Sequence, residues 1–171
     1  MVEPRLGLYH GILCQLASVD VVVIDAGRGT LWHRAAGPYL TNYRKALEIT
    51  PTQADILGNL GFAQAAKKQY AEAIMNFEAA LKNDPDSAST HNNLATVLFI
   101  QKRFDEAIRH YREALRITPD NPQIYSNLGD ALVKQGQTAE AVRCYQEALR
   151  LKPGDPQIKT KLQALDALIS K

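Results

Sequence analysis

Apolar residues recur along this chain on two scales. Over short stretches they fall three and four positions apart, as in Leu128, Ala131 and Leu132, or Ala141, Val142, Tyr145, Ala148 and Leu149. That spacing places them on one face of an α-helix. On a longer scale, the whole pattern returns every 34 residues from Pro51 onward. Pro51, Pro85, Pro119 and Pro153 are in register, as are Leu60, Leu94 and Leu128. So are Ala46, Ala80, Ala114 and Ala148, then Ala73, Ala107 and Ala141, and the aromatic series Tyr43, Phe77, Tyr111 and Tyr145. Segments Ala88–Asn121 and Pro122–Asp155 are identical at 13 of 34 positions. Several independent series agree, so the period reflects a repeated structural unit.

Each unit spells two helices and two turns. Pro122 suits a first helical turn, because its missing N–H would lack an intrahelical partner there. Gly136, within the polar run Gln135–Gln137, breaks the first helix, and Pro153 with Gly154 ends the second. In the preceding unit Gln101–Lys102–Arg103 forms the inner turn, and Asp105 and Glu106 sit where negative charge suits a helix N-terminus. Arg109 and Glu113 are spaced to pair on the exposed side. The pattern predicts antiparallel pairs at Thr52–Asp84, Ser87–Thr118 and Asn121–Lys152, and a further helix over Pro156–Ser170. Gly61, Ala95 and Gly129 are expected where paired helices approach closely, against the small surface of Ala73, Ala107 and Ala141. Tyr111 and Tyr145 are expected to fill the space between successive units. One pair cannot bury its apolar face alone, so neighbours must stack.

The series Tyr125, Leu128, Gly129, Leu132, Ala141, Tyr145, Ala148 and Pro153 resembles the tetratricopeptide repeat across its whole signature. The resemblance implies an all-α fold: a right-handed superhelical solenoid of antiparallel helix pairs. It divides the chain into three repeats over 52–155, the second helix of a partial repeat over 37–51, and a capping helix over 156–171. On that cap Ile158, Leu162, Leu165 and Ile169 share one face, with Lys159, Lys161 and Asp166 elsewhere. Departures are modest: Leu57 and His91 replace a bulky aromatic, and Gln64 replaces a large apolar residue.

Residues 1–36 lie outside the register. Asp20–Gly29 reads as a β-branched run followed by glycines, a strand-and-loop signal rather than a helix. Ala26–Gly29 lacks the full glycine fingerprint of a phosphate-binding turn. Two readings stay open: a divergent arm, poorly ordered or covering the first helix, and a translation artefact from a frameshift or misplaced start. The missing start of the first unit favours a fragment, and the cap near Lys171 suggests that nothing follows closely.

Composition narrows the function. With 20 Lys and Arg against 18 Asp and Glu, the formal net charge is +2, and no basic block marks a nucleic-acid surface. The apolar run Ile12–Ile24 is interrupted by Gln15, Ser18 and Asp20, and it has neither a membrane span's length nor a signal peptide's basic lead-in. Cys14 and Cys144 lack metal-ligand spacing and read as reduced and incidental, which fits a cytoplasmic setting. His10, His33, His91 and His110 have no partner at metal spacing. His91 falls in an interior helix slot, and His110 reads as solvated beside Arg109. No nucleophile elbow or phosphate loop is present, so the expectation is no enzyme, no cofactor and no metal.

Asn59, Asn93 and Asn127 recur at the same period, each immediately before a core leucine. In the resembled fold that side faces the concave groove. An asparagine offers a donor and an acceptor, so a row of them can pair with the backbone of an extended ligand. The row resembles the asparagine ladder of the repeats in protein O-linked N-acetylglucosamine transferase; the competing reading is local backbone capping. Phe62, Thr96 and Asp130 share a neighbouring slot; Gly58, Asn92 and Ser126 share a second, and Ala65, Phe99 and Val133 a third. The family's carboxylate clamp would need cations where Gly58, Phe62, Asn93, Gln123 and Asn127 stand. The expected function is a scaffold or adaptor that holds an extended peptide or helix of a partner protein. The alternative is the substrate-docking region of a larger enzyme such as a glycosyltransferase, and self-association through the N-terminal end is a third option.

Overall fold

The computed structural model describes residues 41–45 and 53–169. The segment over 1–36, with both readings attached to it, lies outside the described residues. The first described piece, 41–45, is helical, and its Tyr43 packs against Leu60 and Ala63.

Seven helices follow: α1 Ala54–Ala66, α2 Tyr70–Asn83, α3 Ala88–Ile100, α4 Phe104–Ile117, α5 Pro122–Lys134, α6 Thr138–Leu151 and α7 Pro156–Ile169. Among the described residues there is no strand. Helices pair as α1 with α2, α3 with α4 and α5 with α6. Each pair then stacks on the next, α2 on α3 and α4 on α5, and α7 closes the array against α6. In addition α1 touches α3 and α3 touches α5, so the first helices of successive pairs form one continuous row. This is the expected all-α solenoid.

Three of the four helix starts follow one rule, and Gln53 makes no side-chain cap. Position 53, 87, 121 or 155 precedes the first helix of each unit. Asn121 Oδ1 accepts from the amides of Gln123 and Ile124, and Asp155 Oδ1 accepts from those of Gln157 and Ile158. Ser87 Oγ accepts from Thr90 N at 3.4 Å. These oxygens satisfy amides that the helix itself leaves without a partner.

The turn inside each pair is also invariant in shape. In the middle unit Lys102 N donates to Phe99 O and Arg103 N to Leu98 O, the double closure of a Schellman motif. The outer units repeat it at Lys68–Gln69 and Gly136–Gln137. This closure needs a left-handed residue, and φ is 62° at Lys68, 61° at Lys102 and 76° at Gly136. Only the third unit places glycine there.

Burial follows the register. Ala73, Ala107 and Ala141 are fully buried, and Phe77, Tyr111, Tyr145, Leu94, Leu98 and Leu132 are nearly so. Gln64 occupies the slot of Leu98 and Leu132; it is buried too, and its Oε1 accepts from Asn76 Nδ2 at 2.7 Å. A polar atom under the surface is tolerated because it is paired. The aromatic rings correct one expectation. A Cβ built on Gly129 would lie 2.6 Å from the Tyr145 ring, and one on Gly61 would lie 3.0 Å from the Phe77 ring. These rings therefore wedge between the two helices of their own pair. The aromatic fills the space that the missing side chain leaves.

Two consequences are measurable by urea unfolding. Gly129→Ala should destabilise the fold by about 1–3 kcal/mol, since the methyl group overpacks a rigid ring contact. An unchanged midpoint would mean that Tyr145 is free to move. Conversely, Lys102→Gly removes a left-handed penalty of roughly 1–2 kcal/mol and adds roughly 0.5–1 kcal/mol of chain entropy. The midpoint should rise, and a fall would show that the turn is not strained at Lys102.

Candidate functional site

The row formed by α1, α3 and α5 is the inner wall of the solenoid, and every expected groove residue lies on these three helices. Asn59 is exposed and Asn93 is half-buried. Neither side chain makes a hydrogen bond among the described residues. Asn127 differs. Its Oδ1 accepts from Gln123 Nε2 at 3.0 Å, and its Nδ2 reaches Asn92 Oδ1 at 3.3 Å across the boundary between units. One donor and one acceptor site of that amide are already used.

The neighbouring slots divide by chemistry. Phe62, Phe99 and Val133 are half-buried apolar positions, and the Phe99 ring packs on Phe104 with centroids 5.5 Å apart. Thr96 and Asp130 face inward as much as outward. Thr96 Oγ1 donates to Asn92 O at 2.8 Å and lies 3.1 Å from the Tyr111 hydroxyl, which must then act as the donor. Burial pushes the Tyr111 hydroxyl up to about 12, so it remains protonated and able to donate. Tyr145 OH likewise donates to Asp130 Oδ1 at 2.7 Å, and burial followed by that carboxylate raises its pKa. Where the buried aromatic is Phe77, with no hydroxyl, the same groove slot holds Phe62. The slot on the groove wall matches the aromatic behind it.

Ser126 is buried, and its hydroxyl accepts from Lys161 Nζ at 3.1 Å. The same ammonium donates to Asp130 Oδ2 at 2.6 Å. Lys161 was expected away from the contact face of the last helix. Instead it stands one period after Asn127 and makes the same backward reach: Asn127 to Asn92, Lys161 to Ser126. It is thus a cation at the end of the row, neutralised by Asp130. The shared 34-residue register was the signal that could have found it.

Two further expectations are corrected. Arg109 does not pair with Glu113: it lies 3.9 Å from Glu106, while Glu113 is held by Arg116. His110 is half-buried rather than fully solvated: its Nδ1 meets His91 Nδ1 at 3.0 Å. His91 does hold the interior position expected of it, 8% exposed. Among the described residues, no group of three or more His, Cys, Asp or Glu is placed to hold a metal ion. No described helix is long and apolar enough to cross a membrane. Cys144 is a buried free thiol, pushed up to about 11 by burial, and so is a poor nucleophile.

Helix pairs of fixed length, joined by identical turns and stacked in one direction, define a helical-repeat solenoid. The tetratricopeptide repeat profile matches residues 52–118 and 86–153, and the chain belongs to that family. No curated protein matches the sequence. Among solved structures, MamA 41-end from Desulfovibrio magneticus RS-1 superimposes with a TM-score of 0.78 at 18% identity, covering 95% of this chain and 84% of that one. A MamA RS-1 double mutant gives a TM-score of 0.79 at 18% identity, over 96% and 84%. The first TPR of Spaghetti (RPAP3), bound to the HSP90 peptide SRMEEVD, gives a TM-score of 0.68 at 23% identity, over 70% and 94%.

Lys161→Met keeps the aliphatic stem but removes both bonds to the wall. Losing about 1 kcal/mol of net hydrogen bonding should speed amide exchange in α7 by about 5-fold, leaving α1–α4 unchanged. Equal exchange would mean that Ile158 and Leu165 hold this helix unaided.

Proposed function

We propose that this chain is a non-catalytic protein-interaction scaffold whose inner wall holds an extended peptide of a partner by its backbone. The binding unit is the array of three repeats over 52–155, with 156–171 as its cap. The observation that carries the reading is the pair of unengaged amides on Asn59 and Asn93, one period apart on a continuous row of helices. A peptide unit presents one donor and one acceptor, and a primary amide matches both. Phe62, Phe99 and Val133 offer apolar contact beside the row, and Asn92, Thr96, Ser126 and Asp130 give it a polar floor. Asn127 contributes with the part of its amide that Asn92 and Gln123 leave open. The formal charge of +2 favours a protein over a nucleic acid as the partner. A related fold, the first TPR of Spaghetti (RPAP3), is seen with a peptide bound, which supports the class of ligand.

The test begins with a random peptide library displayed against the full chain, followed by titration of several recovered peptides of unrelated sequence. Asn59→Ala combined with Asn93→Ala and Asn127→Ala should weaken each of them by about 10-fold or more, at roughly 0.5–1.5 kcal/mol per lost bond. The loss should be similar across sequences, because backbone contacts carry little side-chain information. Unchanged affinity with an unchanged melting curve would remove the asparagines from the mechanism. A collapse in melting temperature would assign them to holding the repeats together.

A further inference from the structure

The middle repeat contains a part-buried arrangement that its two sister repeats lack. His91 on α3 and His110 on α4 meet Nδ1 to Nδ1 at 3.0 Å, with ring centroids 5.3 Å apart. His91 Nε2 lies 3.0 Å from the carbonyl oxygen of Pro85, in the turn that joins the first pair to the second. In the first repeat the corresponding residues are Leu57 and Asn76, and in the third they are Tyr125 and Cys144. Neither of those pairs takes up a proton between pH 5 and 8.

The proton positions follow from the partners. A carbonyl only accepts, so His91 Nε2 carries a hydrogen. A neutral His91 then presents a bare Nδ1, and His110 Nδ1 must donate to it. One added proton can be accommodated on His110 Nε2 without disturbing this chain. A second must land on His91 Nδ1, where two N–H groups would face each other across 3.0 Å. We propose that the His91–His110 pair, tied to Pro85, is an acid-sensitive latch: neutral or singly protonated it holds the middle repeat to the turn before it, and a second proton opens it.

The surroundings oppose charging. Burial, then His91, then Arg109 hold the His110 imidazole below its ordinary value, against the weaker pull of Glu106 and Glu113. Those carboxylates are engaged elsewhere, Glu106 by Arg103 and Glu113 by Arg116, which also binds Asp86 in the turn. α3 has no other ionisable side chain. On α1 the ionisable residue is Asp55; on α2 they are Tyr70, Glu72, Glu78 and Lys82, of which Glu78 acts on Arg103. On α5 they are Tyr125, Asp130 and Lys134. A histidine with a depressed folded value binds fewer protons folded than unfolded. The stabilisation linked to His110 is therefore full above about 6.5 and declines as pH falls below that point, before the second proton, on His91, breaks the Nδ1–Nδ1 contact.

The test follows histidine ring protons of the full chain by NMR from pH 8 to 4.5, with amide exchange corrected for intrinsic rates. His91→Leu/His110→Asn, which copies the first repeat, assigns the signals and serves as the control. In the parent protein one ring of the pair should titrate below 6.5. Protection of α3 and α4 amides should fall by about 10-fold or more between pH 7 and 5, while the double variant shows no such fall. Two independent titrations near 6.5 with α3 and α4 still protected would overturn the latch, as would an equal loss of protection in the variant. Should the variant fail to fold, the parent titration and its exchange profile decide the question by themselves.

Discussion

Everything in this fold depends on how closely two helices can approach within a pair. The aromatic ring of the second helix lies directly over position 61 or 129 of the first, and at Gly129 the space left for a methyl group is already taken by the Tyr145 ring. Small residues on both helices, including the fully buried Ala73, Ala107 and Ala141, make that approach possible. Once a pair is closed it still presents apolar surface along one edge, and water drives the next pair onto it. The buried residues consequently form a ribbon running from Ala73 to Leu165 rather than a central mass.

The same contact sets the chemistry of the inner wall. A tyrosine wedged between helices must place its hydroxyl somewhere, and an unpaired buried hydroxyl costs about 1–3 kcal/mol. Thr96 answers Tyr111, and Asp130 answers Tyr145. Asp130 is then a half-buried carboxylate, and Lys161 of the last helix neutralises it while also bonding Ser126. Thr96 and Asp130, both expected to face a ligand, are therefore chosen as much by the core behind them as by anything in front. Phe62, backed by Phe77, is the exception that shows the rule.

The fold was legible because its signal is redundant. Five series of residues carried one 34-residue period, and helix spacing and turn positions agreed with it at every unit. What escaped was whatever a single residue decided. Arg109 lies within helical reach of both Glu106 and Glu113, and the distant Asp86 helps Arg116 take Glu113. His91 and His110 are 19 positions apart, a separation that follows no helical or metal-ligand spacing; only the pairing of α3 with α4 brings them together. The apolar face of the last helix says nothing about Lys161. Its place in the register, one period beyond Asn127, carries the information that periodicity within one helix does not.

A repeat array makes its binding surface from copies, yet these copies are not equivalent. Moving along the row, Asn59 is exposed and unengaged, Asn93 is half-buried and unengaged, Asn127 is bonded to Gln123 and Asn92, and Lys161 is fully committed to Ser126 and Asp130. Side chains at this slot can face a ligand or bridge to the preceding unit, and the bridging option requires an acceptor there. Gly58 offers none to Asn93, whereas Asn92 and Ser126 offer one to their successors. The glycine thus decides which amide stays free. On the proposed function, capacity for a ligand would be concentrated toward the first two repeats; the bridges between units lie toward the last two. Along this row a side chain that bridges to the neighbouring unit is unavailable to a partner, so on the proposed function binding and cohesion draw on the same residues in opposite directions.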